Sequence, residues 1–225
     1  NIDIAQDTLV IYSVSPNDCS GSGWGFLSGH NCWDDRAKAD YFTATSGDTV
    51  KAAILYFAKA YAASGASSVN VRVWNGSTGT PGAVLGTQNV LVNQLSTTQP
   101  VLVTFSPAVL VTGNFFLGVE WAANATPQDT VALITNKDGE TMPGTAWEMW
   151  SDNTWHHDSS SWGVNLAHAI WVVKCTPGSS PNCTGFSAST TSTNPTCSAS
   201  TGTATASATG GTTPYTYLWS NNGTT

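Results

Sequence analysis

A tryptophan-rich segment, residues 147–162, concentrates the side chains of this chain that are best suited to binding a ligand. It reads WEMWSDNTWHHDSSSW and brings aromatic, imidazole and carboxylate groups into one short stretch. The flat apolar face of a sugar can stack on an indole ring while neighbouring polar groups bind its hydroxyls. The segment therefore predicts a carbohydrate-binding platform, formed by Trp147, Trp150, Asp152, Trp155, His156, His157 and Trp162.

The same tryptophans also have a purely structural explanation. Trp147 and Trp150 differ by an odd number of positions, so on a regular strand they face opposite sides of the sheet. Residues 155–158 lie among Asn, Thr and Ser, a composition that predicts a loop. Tryptophan is common core filler in small β-sandwiches, and such a loop can fold back as a hydrophobic lid. Exposed aromatic residues indicate a binding site only where they form a contiguous patch.

Metal binding is a second chemistry that these residues offer. His156, His157 and Asp158 could ligate a transition metal, but adjacent histidines diverge on an extended backbone. A third ligand would then have to come from His30 or His168. Calcium suits a secreted β-sandwich better, and its candidate oxygen ligands lie in two acidic turns: Asp34, Asp35, Asp138 and Glu140. Neither turn has the spacing of a calcium-binding loop, so turn formation and solvated charge are the alternative explanation.

Recognisable catalytic motifs are missing from the sequence. It holds no GxSxG elbow, no HExxH, no CxxC and no phosphate-binding loop. Glu120, Glu140 and Glu148 could contribute to a carboxylate pair of the kind that glycosidases use, but their spacing selects no two partners. We therefore expect this chain to have no catalytic activity of its own.

Composition narrows the fold and the partners. Charged residues make up 9% of the 225 residues and the net charge is -7, which argues against nucleic acid because phosphate binding needs a basic stripe. No apolar run is long enough to span a membrane. The first residues lack the features of a signal peptide, so we expect a mature N-terminus. Many short strands with glycine turns, including one long strand over residues 50–61, predict a jelly-roll-like β-sandwich over residues 1–175.

Five cysteines in a chain of extracellular character predict disulfides with one thiol left over. Pairing near neighbours gives Cys19–Cys32 and Cys175–Cys183 as the simplest assignment, although four cysteines allow three connectivities. The stretch 176–196 is rich in Pro, Ser and Thr and reads as a linker.

The tail, residues 197–225, resembles the SprB-type repeat of gliding-motility adhesins and other large surface proteins of the Bacteroidota. It alternates Thr or Ser with Ala over residues 203–209 and continues as GGTTPYTYLW, which matches the GG-T-x-PY-x-Y-x-W of that repeat. The resemblance implies an incomplete Ig-like β-sandwich repeat, and it implies that Cys197 pairs with a cysteine beyond Thr225.

A second resemblance covers roughly residues 21–174. The stretches GWGFLSGHNCWDDRAKADYF, VNVRVWNGSTGTPGAVLGTQNVLV and FFLGVEW are similar to a β-sandwich module of Bacteroidota proteins that the type IX system exports. Members of that family are accessory domains of peptidases and of adhesins, so the resemblance implies a location more than an activity. Three Asp-Thr-apolar sites also match the O-glycosylation pattern of such proteins, at Thr8, Thr49 and Thr130.

Together these patterns predict a non-catalytic adhesion or binding module of a larger cell-surface or secreted protein. The sharper hypothesis is binding of a polysaccharide or glycan at the tryptophan-rich segment. One alternative is an accessory domain of a secreted hydrolase whose catalytic part lies outside this chain. A second alternative is a subunit of an extracellular fibre or surface layer, because β repeats of low charge suit self-assembly and pairing with further repeats of the same polypeptide.

Overall fold

The protein is almost entirely β, as its sequence predicts, and the described strands of its first part form a β-sandwich. The computed structural model describes residues 2–3, 5–15, 25–122, 129–176, 187–193 and 202–210. These residues belong to two compact units, Asn1–Lys174 and Cys175–Thr225. No helix in the described part of the chain is long and apolar enough to cross a membrane. The strands are β1 (Leu9–Val10), β2 (Ala37–Phe42), β3 (Thr49–Leu55), β4 (Phe57–Tyr61), β5 (Ser68–Asn75), β6 (Val84–Leu91), β7 (Val101–Leu110), β8 (Phe115–Trp121), β9 (Thr130–Leu133), β10 (Thr135–Asn136), β11 (Ala146–Met149), β12 (Trp155–His157), β13 (Ile170–Cys175), β14 (Ser187–Thr193) and β15 (Thr203–Thr209).

The first unit is built around a six-stranded sheet with the order β12-β11-β2-β8-β5-β6. A three-stranded sheet, β13-β3-β7, and the pair β4-β9 supply further strands. Valine, leucine and phenylalanine side chains from β3, β5, β7, β8 and β9 meet in one large buried cluster. Burying these side chains stabilises the fold by roughly 1.5–3 kcal/mol each. The cluster shows that the sheets pack face to face.

Strand β2 carries charged side chains into the interior. Its sequence AKADYF alternates, and Phe42 joins the main core cluster. Because side chains two positions apart share a face, Lys38 and Asp40 point to the same inner side as Phe42. Strand β8 lies close against β2 at Gly118, where a Cβ atom would overlap the carbonyl oxygen of Lys38 and the Cα of Ala39.

The outer face of the six-stranded sheet carries its own apolar cluster, which we call the outer-face cluster. Its buried members are Ala37, Ala39, Trp74, Phe116 and Met149, and its partly buried members are Tyr41, Trp147 and Trp155. The small alanines of β2 make room for these rings. The alternation of β2 is therefore reversed from the usual pattern, with alanine outward and charge inward.

Two segments of the first unit differ from their sequence-based predictions. The single strand predicted over residues 50–61 is two strands, β3 and β4, that belong to different sheets. At the break between them, the Tyr56 N–H donates to the Ala169 carbonyl and the Tyr56 carbonyl accepts from Ile134. The loop predicted at residues 155–158 is strand β12 followed by a single helical turn, α1 (Asp158–Ser161). Pairing with β11 overrides the polar composition there, because each residue of β12 lies opposite one of β11.

The described part of the second unit is a two-stranded antiparallel ribbon, β14 with β15. Strand β14 lies inside the segment 176–196 that the sequence predicts to be a linker. The sequence does not predict this strand, because a run of Ser and Thr shows no apolar alternation. Its register sets Ser187, Ser189, Thr191 and Thr193 opposite Thr209, Ser207, Thr205 and Thr203. One face of the ribbon therefore carries only hydroxyl side chains, and the Thr193 and Thr203 hydroxyl oxygens are 2.6 Å apart.

Candidate functional site

Three segments of the first unit line a cleft of about 310 Å³. The segment before β2, the end of β11 with its following turn, and the end of α1 all contribute. The lining residues are Trp33, Asp35, Glu148, Trp150, Ser151, Ser161 and Trp162. Three tryptophans therefore form the walls of one cleft whose remaining lining is polar.

A buried ion cluster forms the floor of this cleft. The Lys38 Nζ lies 2.7 Å from Asp35 Oδ2 and 2.6 Å from Glu148 Oε2. All three side chains are almost fully buried, with exposed fractions of 0%, 3% and 1%. Lys38 and Glu148 are cross-strand neighbours on β2 and β11, so the sheet register itself brings them together. Two carboxylates share one ammonium, and when both carboxylates are ionised these three groups carry one excess negative charge.

The two carboxylates respond differently to this arrangement. Burial raises the pKa of Asp35, and the neighbouring Glu148 carboxylate adds to the increase, while Lys38 opposes it. Burial would also raise the pKa of Glu148, but Lys38 and the hydrogen bonds from Trp162 and Trp150 lower it to about 2. Burial would lower the pKa of Lys38, yet the attraction of Glu148 and Asp35 raises it instead. Lys38 and Glu148 are therefore charged throughout the physiological range.

Glu148 also fixes two of the tryptophan walls. The Trp150 indole N–H donates to Glu148 Oε1 and the Trp162 indole N–H donates to Glu148 Oε2, each at 2.8 Å. Trp33 packs edge-on against Trp162, with ring centroids 5.2 Å apart and planes at 72°. Hydrogen bonds to a charged acceptor stabilise by about 1.5–3 kcal/mol. The orientation of the indole rings is thus set before any ligand binds.

The turn between β11 and β12 supports Trp150 from one side. The His156 ring stacks on Trp150 with ring centroids 3.6 Å apart. Thr154 Oγ1 donates to Asp152 Oδ1 at 2.6 Å and lies 2.8 Å from His156 Nε2. The turn closes through a hydrogen bond from the Trp150 N–H to the Thr154 carbonyl. This network holds the imidazole over one face of the indole.

Further buried polar groups lie near the floor. Asp158, at the start of α1, is 1% exposed, and neither of its carboxylate oxygens accepts a hydrogen bond from the described residues. Burial raises the pKa of Asp158 to about 7, although Lys38 and His168 act in the opposite direction. The His168 Nδ1 lies 3.5 Å from Asp40 Oδ1. Asp40 in turn accepts hydrogen bonds from the Thr145 hydroxyl and the His168 N–H.

The structure divides the predicted platform between two faces of the sheet. Trp150 and Trp162 line the cleft, while Trp147 and Trp155 belong to the outer-face cluster. His157 packs against Trp147 and its Nε2 lies 2.9 Å from the Gly144 carbonyl, so it does not line the cleft. His156 stacks on Trp150, and Asp152 accepts a hydrogen bond from Thr154 in the turn that supports Trp150. Sequence reasoning did not include Trp33 and Lys38 in the site.

The carboxylates that the sequence offers for calcium make other contacts. Asp35 pairs with Lys38, Asp138 Oδ1 accepts from the Asn165 N–H, and Glu140 Oε2 accepts from the Thr8 and Lys137 N–H groups. Asp34 lies at a turn with a φ of 61°. Among the residues that the structure describes, no group of three or more His, Cys, Asp or Glu side chains could hold a metal ion. The candidate histidines are dispersed as well, since His30 stacks on Trp121 and His168 lies beside Asp40.

Cys32 and Cys175 are both disulfide-bonded. Their predicted partners, Cys19 and Cys183, lie outside the described residues, and so does Cys197, whose predicted partner lies beyond Thr225. These pairings stay predictions. Thr8 is exposed, and Thr49 and Thr130 are half-buried first residues of β3 and β9. O-glycosylation of these threonines likewise stays a prediction.

Residues 189–224 match the SprB repeat family. No curated protein matches the chain. The matched stretch begins before Cys197 and includes most of β14 and all of β15. The second unit therefore carries a SprB-type repeat, an adhesin-like module typical of cell-surface proteins, and this suggests an extracellular or surface location.

Proposed function

We propose that this chain is a non-catalytic adhesion module of a cell-surface or secreted protein, and that it binds a carbohydrate in the tryptophan cleft. The observation that carries the proposal is the set of three tryptophans, Trp33, Trp150 and Trp162, lining one open cleft with polar groups at its floor. Trp33 and Trp150 are 41% and 40% exposed, which is unusual for side chains of this size. Exposed indoles that converge on one cleft form a contiguous aromatic patch.

The cleft has the physical requirements for sugar binding. Indole faces supply the apolar contact that a pyranose ring needs, and Ser151 and Ser161 supply hydroxyls at the rim. Its volume of about 310 Å³ lies at the small end of ligand sites and suits one or two sugar rings. The indoles are already oriented by Glu148, so little side-chain entropy is lost on binding.

The contacts of the two carboxylates favour binding over catalysis. A glycosidase needs one carboxylate as acid and the other as base or nucleophile, with room for the glycosidic bond between them. Here Asp35 and Glu148 are joined by the same Lys38 ammonium. Glu148 also accepts two indole N–H groups. Glu148 is therefore a positioning residue, because its hydrogen bonds hold Trp150 and Trp162 in place.

The proposal extends to the parent protein. We infer a Bacteroidota surface protein that the type IX system exports. The SprB-type repeat at residues 189–224 and the motif resemblance of residues 21–174 support this. Further repeats of the same polypeptide are then its neighbours at the surface. Export by that system can be tested by following secretion of the full-length protein in a host with and without the type IX machinery.

Glycan binding is tested with the whole chain on a glycan array and by retention on insoluble polysaccharides. Trp150→Ala and Trp33→Ala each remove one wall and should weaken binding about tenfold or more, corresponding to about 1.4 kcal/mol. Tyr61→Ala is the matched control, because Tyr61 is an exposed aromatic residue of β4 that does not line the cleft. Absence of binding to any glycan, or equal binding by Trp150→Ala and the wild type, would refute the proposal.

A further inference from the structure

We infer that the cleft selects saccharides that carry a primary ammonium group, that is, amino sugars with an unmodified amine. The inference rests on the proposed function, because it names the substrate class of the same cleft. Its basis is the charge of the floor together with the aromatic walls.

When Asp35 and Glu148 are both ionised, the floor has one negative charge more than its positive charge. Asp35 and Glu148 are both buried against a single ammonium, that of Lys38. Nearby Asp158 adds a further negative charge when it ionises. A buried carboxylate without a full complement of positive charge is costly, and this cost is reduced when a cation enters the site. A neutral ligand would leave the imbalance in place.

Asp35 is the carboxylate that can receive this cation. Its Oδ2 accepts hydrogen bonds from the Asn31 amide and the Lys38 ammonium, at 2.6 and 2.7 Å. Its Oδ1 accepts no hydrogen bond from the described residues, and this atom is not fully buried. Asp35 also lines the cleft. Glu148, by contrast, already receives donors on both oxygens. An ammonium in the cleft would therefore meet Asp35 Oδ1.

The tryptophan walls favour the same kind of ligand. A cation within about 6 Å of an indole face is attracted by the ring quadrupole, by about 0.5–1 kcal/mol at exposed sites and about 2 kcal/mol where water is excluded. Trp33 and Trp150 offer two such rings beside the Asp35 carboxylate. A hexosamine combines an apolar ring face for stacking with one ammonium group. It thus satisfies both the walls and the floor.

The experiment compares three β-1,4-linked oligosaccharides of equal length that differ only at carbon 2: oligomers of glucosamine, of N-acetylglucosamine and of glucose. Binding to the whole chain is measured by titration calorimetry at about pH 6. An α-amino group, which like these amines lies next to electron-withdrawing substituents, has a pKa of about 7.7. The glucosamine oligomer should bind at least about tenfold more tightly than the other two, and this advantage should decrease as salt increases.

Asp35→Asn should abolish the tenfold advantage of the glucosamine oligomer over the N-acetylglucosamine oligomer. The matched control is Asp152→Asn, which removes one negative charge from the neighbouring turn and outside the cleft. It should keep the advantage, because the amide oxygen can still accept from Thr154. If Asp35→Asn does not fold, the pH dependence of wild-type binding decides. The advantage should disappear at about pH 9, where the amine is neutral, and an advantage that remains there overturns the inference.

The other outcomes separate this inference from the proposed function. Equal or tighter binding of the glucose or N-acetylglucosamine oligomer overturns amine selection and leaves carbohydrate binding intact. Amine selection is also overturned, and carbohydrate binding left intact, if neutral glycans bind on the array and none of the three oligomers binds. Tighter binding of a lysine-rich peptide than of the glucosamine oligomer overturns the saccharide class. Absence of binding to every glycan overturns both proposals.

Discussion

Replacing Lys38 by methionine should destabilise the fold strongly at neutral pH and much less in acid. The ammonium is the one cation within hydrogen-bond distance of Asp35 and Glu148 among the described residues. Methionine fills a similar volume without charge, so the variant retains two neighbouring buried carboxylates without their cation. Removing one partner of a buried ion pair costs about 3–5 kcal/mol.

The pKa of Glu148 gives a second measure of the same interaction. Its decrease from 4.5 to about 2 corresponds to about 3 kcal/mol of favourable interaction with the ionised form. Lys38 is the largest cause of that decrease, ahead of the hydrogen bonds from Trp162 and Trp150. Both routes therefore give a loss of about 3 kcal/mol in the free energy of unfolding at about pH 7.

The dependence on pH follows from the number of protons that each state binds. In the wild type the folded pKa of Glu148 lies below its unfolded value, so its contribution is present above about pH 4.5 and is lost as pH falls towards 2. Without Lys38, burial raises both folded pKa values above their unfolded values, and the folded state binds more protons. The stability of Lys38→Met should then decrease as pH rises, and its deficit should be small below about pH 4.

Urea unfolding followed by tryptophan fluorescence, at several pH values, measures this deficit. The matched control is Lys51→Met, because Lys51 is an exposed lysine of β3, where substitution should change stability by less than about 0.5 kcal/mol. A loss below about 1 kcal/mol for Lys38→Met at about pH 7 would refute the reasoning. So would a loss of equal size at about pH 4 and pH 7.

Two further predictions concern the groups around the cluster. Asp158→Asn should raise the free energy of unfolding by an amount that grows between about pH 4 and pH 7 and is constant above about pH 7, because burial raises the folded pKa of Asp158 from 3.8 to about 7 and the wild type loses stability across this interval. The full difference is at most about 4 kcal/mol, and a difference in urea unfolding that does not change between about pH 4 and pH 7 would contradict this. Gly118→Ala should destabilise by about 1–3 kcal/mol in thermal unfolding and weaken ligand binding, because its Cβ would overlap the backbone of β2 at Lys38 and Ala39. Gly113→Ala, whose Cβ would meet no atom within 4 Å, is the control and should not lower the melting temperature.

The sandwich could be predicted from the sequence because strand patterns are local. Ser68–Asn75 alternates valine with polar residues, and the structure gives a strand with these bounds. The break at Tyr56 could not be predicted in this way, since it depends on hydrogen bonds to residues more than seventy positions away in the chain. Strand β12 was missed for a related reason, because its partner β11 determines its conformation.

The cleft could be predicted only in part. The density of tryptophan at residues 147–162 identified Trp150 and Trp162, but a strand pattern does not tell which face is buried. Charged residues usually face the solvent, and the AKAD of β2 does the opposite. The floor depends on the pairing of Lys38 with Glu148, 110 positions apart, which no short motif contains. Trp33 and Asp35 lie in the acidic turn before β2, which we predicted to be a calcium site. An aromatic residue next to acidic residues was the signal that could have identified them.

The hydroxyl face of the β14–β15 ribbon has a mechanical consequence. Sliding one strand by two residues would set Ser187 opposite Ser207 and Thr191 opposite Thr203, so hydroxyl pairs would again face each other. Side-chain chemistry thus distinguishes the two registers only weakly, in contrast to a strand with one apolar buried face. A tensile load on the polypeptide would meet little resistance to sliding from these side chains alone.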